Sequence, residues 1–168
     1  MATSPMTKFE EMWQAHAQCV QAWNEYRNRS YGNLMTLYQG FNKHCQIPPD
    51  CITPAPLDKE VEPGRMYGPA GAIHFDTKEG YWCLGFILNL EGSRLLLEID
   101  LREQAGKILV KRGPGDKPKE IDIALNPKQC GEFYDSIADR VKQFYAVGPD
   151  SLPDDTRVRR IGFAVDAS

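Results

Sequence analysis

No part of this chain comes near the run of about 18 apolar residues that a membrane-crossing helix needs. The first eight residues also lack the basic start and apolar centre of a secretory signal. Cysteine is sparse and odd in number: Cys19, Cys45, Cys51, Cys83 and Cys130 are widely scattered. No two stand in a Cys-x-x-Cys pair, and no two histidines lie close together, so neither a disulfide framework nor a zinc finger is signalled. These absences lead us to expect a cytoplasmic protein with reduced thiols, no membrane partner, and neither metal nor other cofactor.

A basic face is missing too. The net charge is -3, and none of the four segments 1–46, 47–66, 67–126 and 127–168 departs from neutrality by more than two charges. Local groups exist at Lys107, Lys111, Arg112, Lys117 and Lys119, and at Arg157, Arg159 and Arg160. Acids such as Asp116, Glu120, Asp154 and Asp155 interrupt both. Nucleic acid, whose binding rests on phosphate neutralisation, is therefore not an expected partner. Gly113-Pro114-Gly115 has no Lys-Ser/Thr after it and no strand-to-helix context, so it reads as a turn and not a phosphate loop. There is no internal repeat.

What remains is ordinary globular composition: 168 residues, 42% hydrophobic and 26% charged. A single domain of this length can bury about two thirds of its unfolded surface. Thr7 and Glu10 form a capping-box pattern ahead of an apolar stripe at Phe9, Met12, Trp13, His16, Cys19, Val20, Trp23 and Tyr26. A second stripe follows at Tyr31, Leu34, Met35, Tyr38, Phe41 and Cys45. Residues 1–46 are thus expected to be helical, either as a hairpin broken near Gly32 or as one helix over about 8–45. The two stripes agree in phase, since five turns carry Trp13 onto Tyr31 and Trp23 onto Phe41. One helix would be about 55 Å long, more than such a domain can cover, so part of its stripe would need a second chain.

Six of the twelve prolines fall within 47–71, which predicts an extended connection without helix or central strand. Residues 72–125 alternate like a five-strand antiparallel meander, with strands near 72–75, 81–90, 94–101, 107–112 and 119–125 joined by short turns. Both faces of 81–90 are apolar, so that strand should be central and covered on both sides. Asn126 and Pro127 open a helix over 126–147, which Gly148-Pro149 ends, and 157–165 alternates as an edge strand. The fold class expected is α+β.

Candidate chemistry is thin. His74 and Asp76 share a strand face and could act as an acid–base pair. Glu98 and Asp100, with Arg102, fall on what reads as the solvent side of the third meander strand, where clustered carboxylates could hold a hard cation. His44, Cys45 and Cys51 gather at the helix exit without zinc-site spacing. Trp13, Trp23, Tyr26, Tyr31 and Tyr38 line the N-terminal stripe as candidate binding residues, because Trp and Tyr anchor interfaces. The leading expectation is a non-catalytic interaction or regulatory protein that binds a protein partner, or itself as a homodimer, through this aromatic face. The alternative is a small hydrolase-like enzyme with a site between sheet and helices, using His74 with Asp76 or Glu98 with Asp100.

Overall fold

A computed structural model describes residues 5–62, 64–124, 126–146 and 158–160. Its elements run in order α1 (Lys8–His44), a 3-10 turn (Pro49–Cys51), β1 (Ile52–Pro54), α2 (Pro69–Ala72), β2 (Ile73–Asp76), β3 (Tyr81–Leu90), β4 (Ser93–Gln104), β5 (Lys107–Lys111), β6 (Lys119–Glu120), α3 (Pro127–Ala146) and β7 (Val158–Arg160). The α+β class holds, with an N-terminal helix, an antiparallel meander β2-β3-β4-β5-β6 and a C-terminal helix.

The N-terminal helix is continuous. Thr7 Oγ1 accepts from Glu10 N at 3.2 Å while Glu10 Oε2 accepts from Thr7 N at 2.6 Å, so the capping box closes both ways. Gly32 lies in mid-helix and does not break it, because phase-matched stripes on either side favour continuity over one weak residue.

Two-residue turns set the sheet register. Glu91 and Gly92, then Ala105 and Gly106, take positive φ at both positions, the geometry whose twist matches that of the flanking strands. Leu90 therefore pairs with Ser93, and Gln104 with Lys107. One face of the sheet presents Trp82, Leu84, Phe86, Leu88, Leu95, Leu97, Ile99 and Leu101 to Leu34, Leu37 and Phe41 of α1 and to Phe133 and Ile137 of α3, forming the main core.

The proline-rich connection is more ordered than expected. Its β1 pairs with β3 through Thr53↔Ile87, as an edge strand whose prolines cost no central ladder bonds. It then crosses the second face of the sheet. Ala55 N donates to Gly85 O at 2.9 Å, and Ala55 and Pro56 are fully buried. Gly85 permits this approach, since a Cβ there would collide with Ala55 O and the Leu57 side chain. Strand β6 is shorter than expected, at two residues, although Ile121 is buried as its alternation requires. Of the expected strand 157–165, only β7 is described. It pairs parallel to β4 at Arg94–Leu96. Leu125, Gly148, Pro149 and the remainder of 157–165 lie outside the described residues.

Two glycine substitutions should separate these features in urea denaturation. Gly32→Ala, with nothing within 4 Å of the new methyl, should stabilise by about 0.5–1 kcal/mol. Gly85→Ala should destabilise by about 1–3 kcal/mol as the connection is pushed off the sheet. A destabilising Gly32→Ala would mean that the helix breaks there.

Candidate functional site

The second face of the sheet carries the polar groups. Directly paired residues run across four strands in one row: His74 of β2 faces Cys83 of β3, Cys83 faces Asp100 of β4, and Asp100 faces Lys111 of β5. Glu98 lies opposite Gly85, one position along the same face. None of the central groups is wet: Cys83 is 3% exposed, Glu98 6%, Asp100 2% and Lys111 4%. The expectation that Glu98 and Asp100 face solvent is thus overturned. The Ala55-Pro56-Leu57 crossing covers the sheet at Gly85, and Gly113 lies over Glu98 with only 3.1 Å from an ideal Cβ to Oε2. The 113–116 turn is held in place by Asp116, whose carboxylate accepts from Arg112 N at 2.9 Å, Nε at 2.8 Å and the guanidinium NH2 at 2.7 Å. Burial opposes the Asp116 charge, but these bonds outweigh it and keep the carboxyl below its ordinary range.

Sulfur and carboxylate oxygens of Cys83, Glu98 and Asp100 lie within 4.8 Å of one another. Burial first, and the neighbouring Glu98 charge second, push the Asp100 carboxyl up to about 9. Burial and the Asp100 charge likewise push the Cys83 thiol far up, so it is not a thiolate nucleophile at neutral pH. Lys111 Nζ stands 4.0 Å from Asp100 Oδ2, forms an ion pair with Glu79, and lies 4.5 Å from the Tyr81 ring centre. Burial works against its charge, but the Glu79 bond and the Asp100 charge prevail and raise its pKa. Arg102 stacks at 4.6 Å on the same Tyr81 ring. Asp100 Oδ1 and His74 Nδ1 are buried without hydrogen-bond partners.

No hydrogen bond links His74 to Asp76 among the described residues. Asp76 Oδ1 accepts from Lys78 N at 2.9 Å and so closes the β2–β3 turn. His74 instead faces Cys83. At the helix exit, His44 Nε2 meets Asp135 Oδ1 at 2.7 Å, while Cys45 and Cys51 line an apolar cavity of about 320 Å³ with Phe41, Leu88 and Val141. None of the three cavities described is lined by His74, Asp76, Glu98 or Asp100.

The aromatic candidates divide along α1. Tyr38 is core, packed edge-on to Phe86. Tyr26 and Tyr31 are half-buried, with rings 6.2 and 5.4 Å from Trp82. Trp23 touches Trp82 and Phe75 yet stays 42% exposed, and Trp13 is 66% exposed. Phe9, Met12 and Val20 continue the bare stripe. Every buried residue of α1 lies at or beyond Ser30, so the N-terminal half leaves the body of the protein with its apolar side uncovered.

Sequence reasoning missed Cys83 and Glu79 as members of this row and placed Lys111 in a local basic group. The two-residue turns held the signal. Counting back from Glu91-Gly92 places Cys83 opposite Asp100, and counting out from Ala105-Gly106 places Lys111 there too. Compared with protein-family models, curated proteins and solved structures, the chain shows no significant match.

Asp100 ties stability to pH. From about pH 4 to 9 its carboxyl holds a proton in the folded chain and has lost it in the unfolded chain, so unfolding releases a proton and rising pH destabilises. In buffer freed of divalent cations, Asp100→Asn should remove this contribution. Denaturation at pH 5 and pH 8 should show the variant gaining on the parent as pH rises. A constant difference would contradict the assignment.

Proposed function

We propose that this protein is a non-catalytic assembly module that pairs with a second copy of itself through the N-terminal half of α1. The carrying observation is the bare stripe: Phe9 is 65% exposed, Met12 64%, Trp13 66%, Val20 44% and Trp23 42%, all on one side of a regular helix. At about 200 Å² for each fully exposed side chain, these five present about 550 Å², near the upper end of the largest patch on a typical monomer. Two copies joined there would bury about 1,100 Å², just above the roughly 1,000 Å² expected of a specific interface.

Spacing and the body of the protein support an antiparallel arrangement. Phe9, Met12, His16, Cys19, Trp23 and Tyr26 are spaced 3-4-3-4-3, a seam that reads the same in both directions. A twofold axis between His16 and Cys19 would set Phe9 against the partner's Tyr26 and Met12 against the partner's Trp23, an isologous contact. In a parallel pair the partner helix would meet the sheet, which already occupies the C-terminal continuation of the same stripe at Leu34, Leu37 and Phe41. An antiparallel partner ends where that sheet begins.

The enzymatic reading has less support, because the Asp76 carboxylate is engaged in a turn and none of the three cavities described is lined by His74, Asp76, Glu98 or Asp100.

The mass in solution at tens of micromolar should be that of a dimer. Met12→Glu with Trp13→Glu, both at exposed positions, should give a folded monomer with affinity weakened at least a hundredfold, or about 2.7 kcal/mol. His16→Cys should oxidise to a dimer linked through Cys19 of the partner. A parent chain that stays monomeric at these concentrations would overturn the proposal.

A further inference from the structure

We propose that Cys83, Glu98 and Asp100 form a buried centre for a borderline divalent cation of the zinc type, with His74 beside it on the neighbouring strand. This stands apart from α1, on the opposite face of the sheet.

The donor chemistry makes the selection. One sulfur and two carboxylates mix soft and hard ligands, which suits zinc; calcium and magnesium take oxygen alone. The three donor atoms lie within 4.8 Å of one another. Tetrahedral zinc holds its ligands about 3.3–3.8 Å apart, so donors set 4.8 Å apart would close by about 1–1.5 Å on binding.

Two further observations favour a cation ligand over merely clustered acid. Asp100 is 2% exposed, and its Oδ1 has no hydrogen-bond partner, a costly state for a buried carboxyl oxygen. The Nδ1 of His74, across the β2–β3 ladder from Cys83, is also buried without a partner. The Cys83 thiol makes a long bond, to Tyr81 O at 3.7 Å, so a cation here would meet a weakly engaged sulfur and an unpaired carboxyl oxygen together.

Lys111 is the obvious competitor, and its placement is compatible with an ion. It approaches Asp100 at Oδ2 and pairs with Glu79, leaving Oδ1, the other lone-pair edge of the same carboxylate, for the metal. A lysine on one carboxylate oxygen and a metal on the other would orient the ligand as outer partners of metal ligands do. At one end of the row His74 is half-buried, and at the other Glu79, the partner of Lys111, is exposed.

Cobalt(II) reports thiolate ligation directly. Titrated into the full-length reduced protein, cobalt should displace the Cys83 and Asp100 protons to solvent and produce a thiolate-to-metal charge-transfer band that saturates at one ion per chain and is displaced by zinc. Zinc should also raise the melting temperature. Cys83→Ser should abolish the band, and Asp100→Asn should weaken binding tenfold or more. In case Cys83→Ser does not fold, a chain with Cys19, Cys45 and Cys51 changed to serine provides the second arm, since it should keep the band; Cys130, the other thiol that chain retains, is tested by Cys130→Ser, which should keep the band too. A folded parent chain with no band at millimolar cobalt would overturn the proposal. So would a band that survives Cys83→Ser, or one lost from the triple serine chain while that chain remains folded.

Discussion

Strand β3 is buried on both faces, and most of the structure follows from that constraint. Eight consecutive residues, Tyr81 to Ile87 and on through Leu88, are shielded from water. A strand so placed must be paired on both edges and capped above and below. β4 takes one edge, while β1 and β2 divide the other. Helices α1 and α3 cap the apolar face. Among the described residues no third long helix covers the other face; the proline-rich connection covers it with an extended chain, and Gly85 is the residue that lets backbone lie on backbone. Covering β3 in this way also covers its neighbour, and thereby takes Glu98 and Asp100 out of water.

Helix length sets the second constraint. At about 1.5 Å per residue, the 37 residues of α1 far outrun the sheet they pack on. The apolar stripe does not stop where the sheet stops. It continues unchanged in phase from Phe41 back to Phe9, so one surface chemistry serves two environments: a core beyond Ser30 and an uncovered face before Trp23. The ring cluster of Trp23, Tyr26, Tyr31, Phe75 and Trp82 marks the transition.

Much of this was legible because it is local. The capping box, the two-residue turns, the doubly apolar β3 and the Asn126-Pro127 start of α3 all declare themselves within a few residues. Asn126 Oδ1 indeed accepts from Gln129 N at 3.1 Å, and Gln129 reaches back to Asp122 N at 3.0 Å. Gly32 left the helix ambiguous because a glycine costs only about 1 kcal/mol, too little to decide between a hairpin and a straight helix. The error at Glu98 and Asp100 has a plainer source. Alternation shows which residues share a face but is silent on what covers it, and the cover came from a proline-rich stretch read as a mere connection. The two readings were in tension: if Gly85 is covered, its partner Glu98 must be as well.

That tension bears on why the carboxylates are there at all. Leu96 and Ile87 show that the second face accepts aliphatic side chains. Replacing buried ionic groups with well-packed apolar ones is often neutral or stabilising by about 1–4 kcal/mol. Aliphatic residues at 98 and 100 would therefore serve the fold at least as well, with no desolvated acid at Asp100, no protonation demanded by burial, and no orphaned oxygen. Stability alone does not account for a thiol and two carboxyls brought together beneath a fitted covering segment, with an imidazole on the next strand. Their explanation lies in what they can hold, and the exposed aromatic stripe calls for the same kind of answer: both are features that the folding of a single chain would be better off without.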